Sequence, residues 1–166
     1  MEADETTVSG HGKVVEASGN VKMIYTMDNK DVIETFSKEA LYQETNQTGT
    51  LKGSPRAFWK QGIGKLSTKL KANEMVLNIK DKELHATGEV FVNQSSNTLS
   101  ADEIIFNSAQ NKFTTLGQRP EFYVEDEKYR GKIMSDSIVA WTDKKQIYFL
   151  GKVRGTIFID DNKGKK

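Results

Sequence analysis

The chain has 166 residues, 24 of them Lys or Arg and 23 Asp or Glu, which gives a formal net charge of +1. This balance provides no chain-wide field of the kind that gathers nucleic acid, so no nucleic-acid partner is expected. Cysteine is absent, which excludes disulfides and thiolate metal sites. No apolar run approaches the roughly 18 residues that a membrane-spanning helix needs.

A repeat organises the chain from end to end. Self-similarity at a spacing of tens of residues marks stacked supersecondary units, none of which buries its apolar face alone. Five times a small residue is followed sixteen positions later by a glycine: Ala3 and Gly19, Ser37 and Gly53, Ala72 and Gly88, Ala101 and Gly117, Ser135 and Gly151. Successive glycines lie 34, 35, 29 and 34 positions apart, so we expect the variable segments between units to be loops.

Each unit has the pattern of a strand, a turn and a second strand. The first half carries apolar triplets such as residues 75–77 and 104–106, and a turn rich in Asn, Asp, Lys and Gln follows. The second half alternates apolar and polar residues about the glycine, as in residues 84–92, which is typical of a strand with one buried face. The sequence therefore predicts an all-β fold of about five stacked antiparallel strand-turn-strand repeats. These form one domain over residues 1–160, followed by a charged tail over 161–166.

One segment carries a competing signal. Val32, Phe36 and Ala40 fall at helical spacing within residues 31–43. Residues 37–42, however, match the first half of the other units, and this match favours a strand over a short helix.

The two prolines occupy equivalent places. Pro55 and Pro120 follow the glycines of the second and fourth units, and Phe58 and Phe122 stand five positions after the same glycines. Proline cannot donate to a strand ladder, so a bulge or an edge is expected at both places. A bulge reverses the alternation, and we therefore expect both phenylalanines to face the interior.

These motifs together resemble the OstA-type repeat of the LptA family, the periplasmic lipopolysaccharide transport proteins of Gram-negative outer-membrane biogenesis. The resemblance runs from about Ala3 to Phe158, through residues 19–21, 53–59, 72–77, 87–92 and 101–106. It implies a twisted, V-shaped β-jellyroll, open along one side, in a periplasmic protein whose signal peptide is absent from this chain. The implied role is non-enzymatic carriage of lipopolysaccharide across the periplasm, as part of a protein bridge from inner to outer membrane. The anchored LptC and the N-terminal domain of LptD share the fold, so an LptC-like anchored ectodomain stays an alternative.

An open jellyroll has an apolar interior that suits acyl chains, here those of lipid A. Burying one methylene contributes about 0.8 kcal/mol, so several acyl chains bind without detailed polar contacts. The predicted lipid-binding residues are the inward-facing set and one aromatic that the resemblance places at the slot: Met75, Leu77, Val90, Val92, Ile104, Phe106 and Phe58. The alternative is that the same residues fill a closed core. No cofactor and no metal is expected.

An extended stack of strands is expected to have an unpaired edge at each end, near residues 14–23 and 157–159. Such edges accept a further strand, and a contact between the last strand of one molecule and the first strand of the next does not close on itself. The residues expected at these oligomer edges are Val21, Met23, Ile157 and Ile159. The resemblance implies LptC-like and LptD-like proteins as further edge partners. A structural or adaptor solenoid that recruits proteins through its edges, without lipid, is the alternative.

Signals for catalysis are weak. His11 lies in a Gly-His-Gly turn, and His85 alternates away from the apolar face. Asp102 and Glu103 are adjacent on one predicted strand and so point to opposite faces. No phosphate loop or nucleophile elbow occurs, and no enzymatic activity is expected.

Overall fold

The computed structural model describes residues 1–26, 31–60, 67–141, 143–144 and 146–159. The predicted charged tail lies outside these residues. Within them the chain forms fifteen strands and one short 3-10 turn, Gly10–Gly12. The strands are β1 (Glu5–Ser9), β2 (Val14–Thr26), β3 (Val32–Gln43), β4 (Thr48–Lys52), β5 (Arg56–Lys60), β6 (Ser67–Lys71), β7 (Glu74–Asn78), β8 (Glu83–Gln94), β9 (Asn97–Asn107), β10 (Lys112–Leu116), β11 (Glu121–Glu125), β12 (Tyr129–Met134), β13 (Ser137–Trp141), β14 (Gln146–Leu150) and β15 (Arg154–Ile159).

The five repeats form a first sheet. Its hydrogen-bonded order is β1-β2-β3-β4-β7-β8-β9-β10-β13-β14, with antiparallel neighbours. The pairs β1–β2, β3–β4, β7–β8, β9–β10 and β13–β14 are the five predicted hairpins, which confirms the repeat and the all-β fold class. The segment with helical spacing is strand β3.

The segments between repeats form a second sheet, in the order β2-β3-β5-β6-β8-β9-β11-β12-β15. The long strands β2, β3, β8 and β9 bend and contribute one half to each sheet. The prediction that these segments are loops was therefore wrong. The physical reason is that the apolar alternation continues past the bend, as in Val90 and Val92, and only a second layer buries it.

The glycine of each repeat lies where the chain leaves the first sheet. All five have φ between 67° and 89°. A Cβ at any of them would come within 2.3 to 2.9 Å of the side chain that follows the small residue of the same repeat. In the fifth repeat the side chain after the small residue also binds the backbone just after the glycine. Asp136 Oδ2 accepts a hydrogen bond from the Lys152 amide at 2.9 Å. The sixteen-residue spacing between the small residue and the glycine therefore reflects a direct contact between the glycine and the residue that follows the small one.

The core lies between the sheets, and among the described residues two buried hydroxyls, those of Thr35 and Ser37, have no hydrogen-bond partner. Thr35 is 3% exposed, and its Oγ1 has no hydrogen-bond partner. An unpaired buried hydroxyl costs desolvation free energy. We expect Thr35→Val to raise the free energy of unfolding by about 1 kcal/mol in urea titrations.

Thr68 is the matched control for Thr35, because it is equally buried and its Oγ1 accepts a hydrogen bond from Gln94 Nε2 at 3.1 Å. Thr68→Val is expected to lower the free energy of unfolding by about 1 kcal/mol. If Thr35→Val lowers the free energy of unfolding as much as Thr68→Val does, the Thr35 hydroxyl makes a stabilising hydrogen bond.

Candidate functional site

The apolar space between the two sheets, the lumen, is the candidate site, and side chains fill its centre. Trp59 of β5 packs on Phe106 of β9 with ring centroids 4.6 Å apart, and Phe106 stacks on Phe113 of β10 at 4.4 Å. The Trp59 Nε1–H donates to Asp31 Oδ2 at 3.1 Å, which fixes the indole in this cluster. The lumen is therefore closed midway along its length.

The aliphatic and aromatic residues predicted to bind lipid surround this closed centre. Their side chains belong to the core or pack against it: Met75, Val90 and Ile104 are at most 1% exposed, Phe106 and Val92 are 3% and 9% exposed, and Leu77 is half-buried. They face the lumen as the alternation indicates. Their contact with lipid stays a prediction.

Phe58 does not face the lumen, so its predicted orientation was wrong. On β5 the inward side chains are Ala57 and Trp59, 4% and 5% exposed. Phe58 lies on the outer face, where its ring meets that of Phe36 edge-on at 5.8 Å. Phe122 of β11 does face the lumen, as predicted, and its ring centroid is 5.7 Å from that of Phe149.

The position of the proline explains this difference. Pro55 and Pro120 are both fully buried, but Pro55 stands two residues after its glycine and Pro120 three residues after. Since side chains alternate along a strand, residues at even distances from each proline face inward. Phe122 is two residues from its proline, whereas Phe58 is three residues from its own.

The lumen is open at its C-terminal end. Among the described residues, the last strand of each sheet, β14 and β15, pairs on one side only. Residues paired directly with lumen-facing partners share that face: Ile133 pairs with Phe122, and Ile147 with Ala140. Ile147, Ile157 and Ile159 are 41%, 60% and 72% exposed. The C-terminal mouth, as we name it, consists of Ile133, Ile147, Phe149, Ile157 and Ile159.

Two glycines let isoleucine side chains lie close against the backbone at this mouth. Gly131 pairs with Ile157 and Gly155 with Ile133. A Cβ on either glycine would lie 3.2 Å from the Cγ1 of its partner isoleucine, so each isoleucine covers a position that holds no side chain. Ile133 was not predicted from the sequence. The available signal was a Gly-x-Ile motif that occurs in both β12 and β15.

The N-terminal end is also open, with a different edge from the predicted one. Strand β1 pairs with residues 14–18 of β2. The prediction that this stretch is an edge was therefore wrong. The polar Thr6 and Thr7 are compatible with a strand that is exposed throughout. In the second sheet the edge is the second half of β2, where Glu2 pairs with Lys22 in an isolated bridge. Met23 lies in this half, and Val21 is 1% exposed.

Among the described Asp, Glu, Lys, Arg and His residues, Asp31 is the buried one, and it accepts the hydrogen bond from the Trp59 indole. His85 is on the outer face of the first sheet, hydrogen-bonded to Glu103. Within the described ranges, no group of three His, Cys, Asp or Glu side chains is placed to hold a metal ion. In the same part of the chain, no helix is long and apolar enough to cross a bilayer.

Two antiparallel sheets around an apolar lumen, built from hairpins that each end at a glycine, define an all-β jellyroll of the LptA type. No protein-family model and no curated protein matches the chain. A solved structure with a similar fold is LptH of Pseudomonas aeruginosa, the LptA-homologous periplasmic component of the conserved lipopolysaccharide transport device. The two share 14% sequence identity at a TM-score of 0.59, over 75% of this chain and 93% of LptH. At this identity the likeness shows the fold, which is the one that the resemblance implied.

Proposed function

We propose that the protein binds the acyl chains of lipopolysaccharide in its lumen and carries the lipid through the periplasm without catalysing a reaction. The observation that carries the proposal is the C-terminal mouth. Its isoleucines continue the inward face of a core that is otherwise buried, yet up to 72% of their surface is exposed. Exposed apolar surface in a concave setting marks a ligand or partner site. The similar fold of LptH, a component of a lipopolysaccharide transport device, supports lipid as the ligand.

Acyl chains enter at this mouth in the proposed mechanism. About five methylenes buried against it contribute roughly 4 kcal/mol before the entropic cost of binding. Deeper insertion requires Trp59, Phe106 and Phe113 to separate, since their rings close the lumen. Lipid that reaches the predicted residues, Met75 and Ile104 among them, therefore spreads the two sheets and changes the surroundings of the Trp59 indole.

Transport between membranes follows from joining the two open ends. Strands β14 and β15 of one molecule would pair with the β1 and β2 edges of the next, and such head-to-tail contacts do not close. Both ends present apolar side chains, with Val8 60% and Tyr25 40% exposed at the N-terminal end. The proposed bridge would end on LptC-like and LptD-like proteins through the same edges.

A structural or adaptor solenoid without lipid is the second candidate function. The filled centre of the lumen favours it, because a dry core needs no ligand. The edge strands would then recruit proteins alone.

Site-specific photocrosslinking separates the two functions. A photoreactive residue at Ile157, in the mouth, is expected to capture lipopolysaccharide in a producing host, because its side chain is 60% exposed beside the lumen. The same residue at Tyr148, which is 49% exposed on the outer face of the first sheet, is the matched control and is expected to capture little. Fatty-acid and phosphate analysis of the purified protein measures the lipid independently. Folded protein that carries no lipid and crosslinks none at Ile157 would leave the adaptor function.

A further inference from the structure

The outer faces of the two sheets carry opposite charges, which the near-zero net charge of the chain conceals. The outer face of the first sheet is acidic, with two lysines, Lys52 and Lys112. Its carboxylates occupy cross-strand rows that face away from the lumen: Glu5, Glu16, Glu39, Glu74, Glu83 and Glu103. A groove of about 630 Å³ lies on this face.

The outer face of the second sheet, which we name the basic face, has the opposite character. Its carboxylates are Glu2, Glu34, Glu121 and Glu125. Its cations outnumber them and extend over the sheet from β2 to β15: Lys22, Arg56, Lys60, Lys69, Lys71, Arg130, Lys132 and Arg154. Arg130, Lys132 and Arg154 thus belong to the same surface as the cations of β2, β5 and β6.

Two of the four carboxylates on the basic face, Glu34 and Glu121, are already paired. Glu34 contacts Lys60 Nζ at 3.0 Å and Lys22 Nζ at 3.3 Å, and these hydrogen bonds, that of Lys60 first, hold the pKa of Glu34 below its usual value. Glu121 contacts Lys132 Nζ at 2.7 Å. Within the described part of the chain, the remaining cations have no carboxylate at salt-bridge distance: Arg56, Lys69, Lys71, Arg130 and Arg154. These five are available to an external anion.

Aromatic side chains stand between the cations of this face. Phe36 pairs across strands with both Lys22 and Arg56, and Phe91 pairs with Lys71. The Arg130 guanidinium lies 5.6 Å from the ring centroid of Phe158. Four aromatic residues of the face are at least one-third exposed: Phe36, Phe91, Tyr123 and Phe158, at 38%, 37%, 36% and 58%.

We propose that the basic face docks on an anionic phospholipid bilayer. A bilayer supplies anionic headgroups above an apolar layer, and basic residues interleaved with aromatics match both chemistries at once. The acidic face of a second copy supplies complementary charge, but exposed ion pairs between rigid surfaces contribute little and are screened by salt. The bilayer is therefore the occupant that the charge and the aromatics favour together.

Docking in this manner would also orient the molecule. Strands β12 and β15 carry Arg130, Lys132 and Arg154 outward and Ile133 and Ile157 toward the lumen. A molecule held by the basic face therefore has its C-terminal mouth beside the bilayer. This last step rests on the proposed lipid carriage, whereas docking itself does not.

Co-sedimentation with vesicles tests the docking. The protein is expected to bind vesicles of phosphatidylglycerol and phosphatidylcholine, to ignore phosphatidylcholine alone, and to dissociate in about 1 M salt, where the screening length is about 3 Å. Each basic residue near an anionic surface strengthens binding about fivefold. The variant with Lys69→Gln and Lys71→Gln, both exposed, is thus expected to bind about 25-fold more weakly.

The matched control neutralises two carboxylates of the acidic face, Glu16→Gln and Glu39→Gln, and is expected to retain binding. Equal weakening in both variants, or no vesicle binding by the unaltered protein, would overturn the proposal. Self-association without vesicles that Lys69→Gln and Lys71→Gln abolish would assign the face to a second copy instead. Lipid capture at Ile157 is measured in parallel in the basic-face variant, so a failure of docking is distinguishable from a failure of lipid carriage.

Discussion

Replacing Gly88 by alanine is expected to lower the free energy of unfolding by about 3 kcal/mol. Gly88 has φ of 74°, in the left-handed region that costs an L-residue roughly 1 to 2 kcal/mol. The new Cβ would also lie 2.6 Å from Asn73 Nδ2 and 2.9 Å from Asn73 Cβ. Asn73 has little freedom to move, because its backbone N–H donates a hydrogen bond to the Gly88 carbonyl at 2.9 Å. Denaturant unfolding followed by circular dichroism measures the loss.

Gly49 provides the matched control in the same sheet. It lies in β4 outside the left-handed region, and an added Cβ would meet only Leu77 Cβ, at 4.0 Å. Gly49→Ala is expected to change stability by less than about 1 kcal/mol, in the stabilising direction, because alanine loses less backbone entropy on folding. Equal losses at Gly88 and Gly49 would contradict the contact that we assign to the sixteen-residue spacing.

Replacing Ile104 and Ile157 is expected to separate stability from lipid binding. Ile104 is 1% exposed in the centre of the lumen, and Ile104→Ala should cost about 3 to 4 kcal/mol through lost burial and a cavity. Ile157 is 60% exposed in the mouth, so Ile157→Asp should cost less than about 1 kcal/mol. A charge in the mouth opposes acyl chains, however, and we expect at least a roughly tenfold loss of co-purified fatty acid.

Ile24 is the control for the functional half of this experiment. It is 59% exposed, as Ile157 is, but pairs with Glu34 on the outer face. Ile24→Asp is expected to leave both stability and bound fatty acid unchanged. If Ile24→Asp and Ile157→Asp reduce the bound lipid equally, the mouth is not the site of lipid entry.

The hairpins of the first sheet were predictable from the sequence because their determinants are local. Alternation with a period of two, a polar turn and a glycine that contacts the residue fifteen positions earlier are all contained within one repeat. The same local pattern assigned Met75, Val90 and Ile104 to the interior, where they lie. It also excluded the helix over residues 31–43, since the match to the other repeats reflects the same strand geometry.

The second sheet was not predictable in the same way, because its strands are the variable segments between repeats. One residue more between glycine and proline reverses the facing of a strand, and this difference places Phe122 in the lumen and Phe58 outside it. The edge at the N-terminus likewise depended on whether the polar residues of β1 pair with β2. Strand pairing decided that these segments form a sheet and which strand lies at its edge, and the local spacing between glycine and proline decided which phenylalanine faces inward.

By itself the amino-acid sequence determined the five hairpins of the first sheet and the side chains that face inward there, because each follows from contacts within about twenty residues. Only the tertiary structure decided which residues become neighbours across sheets. Cross-strand pairing brings Lys22, Phe36, Arg56, Lys71 and Phe91 into one row, although they span seventy positions of the chain. The mouth isoleucines are exposed because β14 and β15 each pair on one side only. Their burial would require a further strand, which the described chain does not supply.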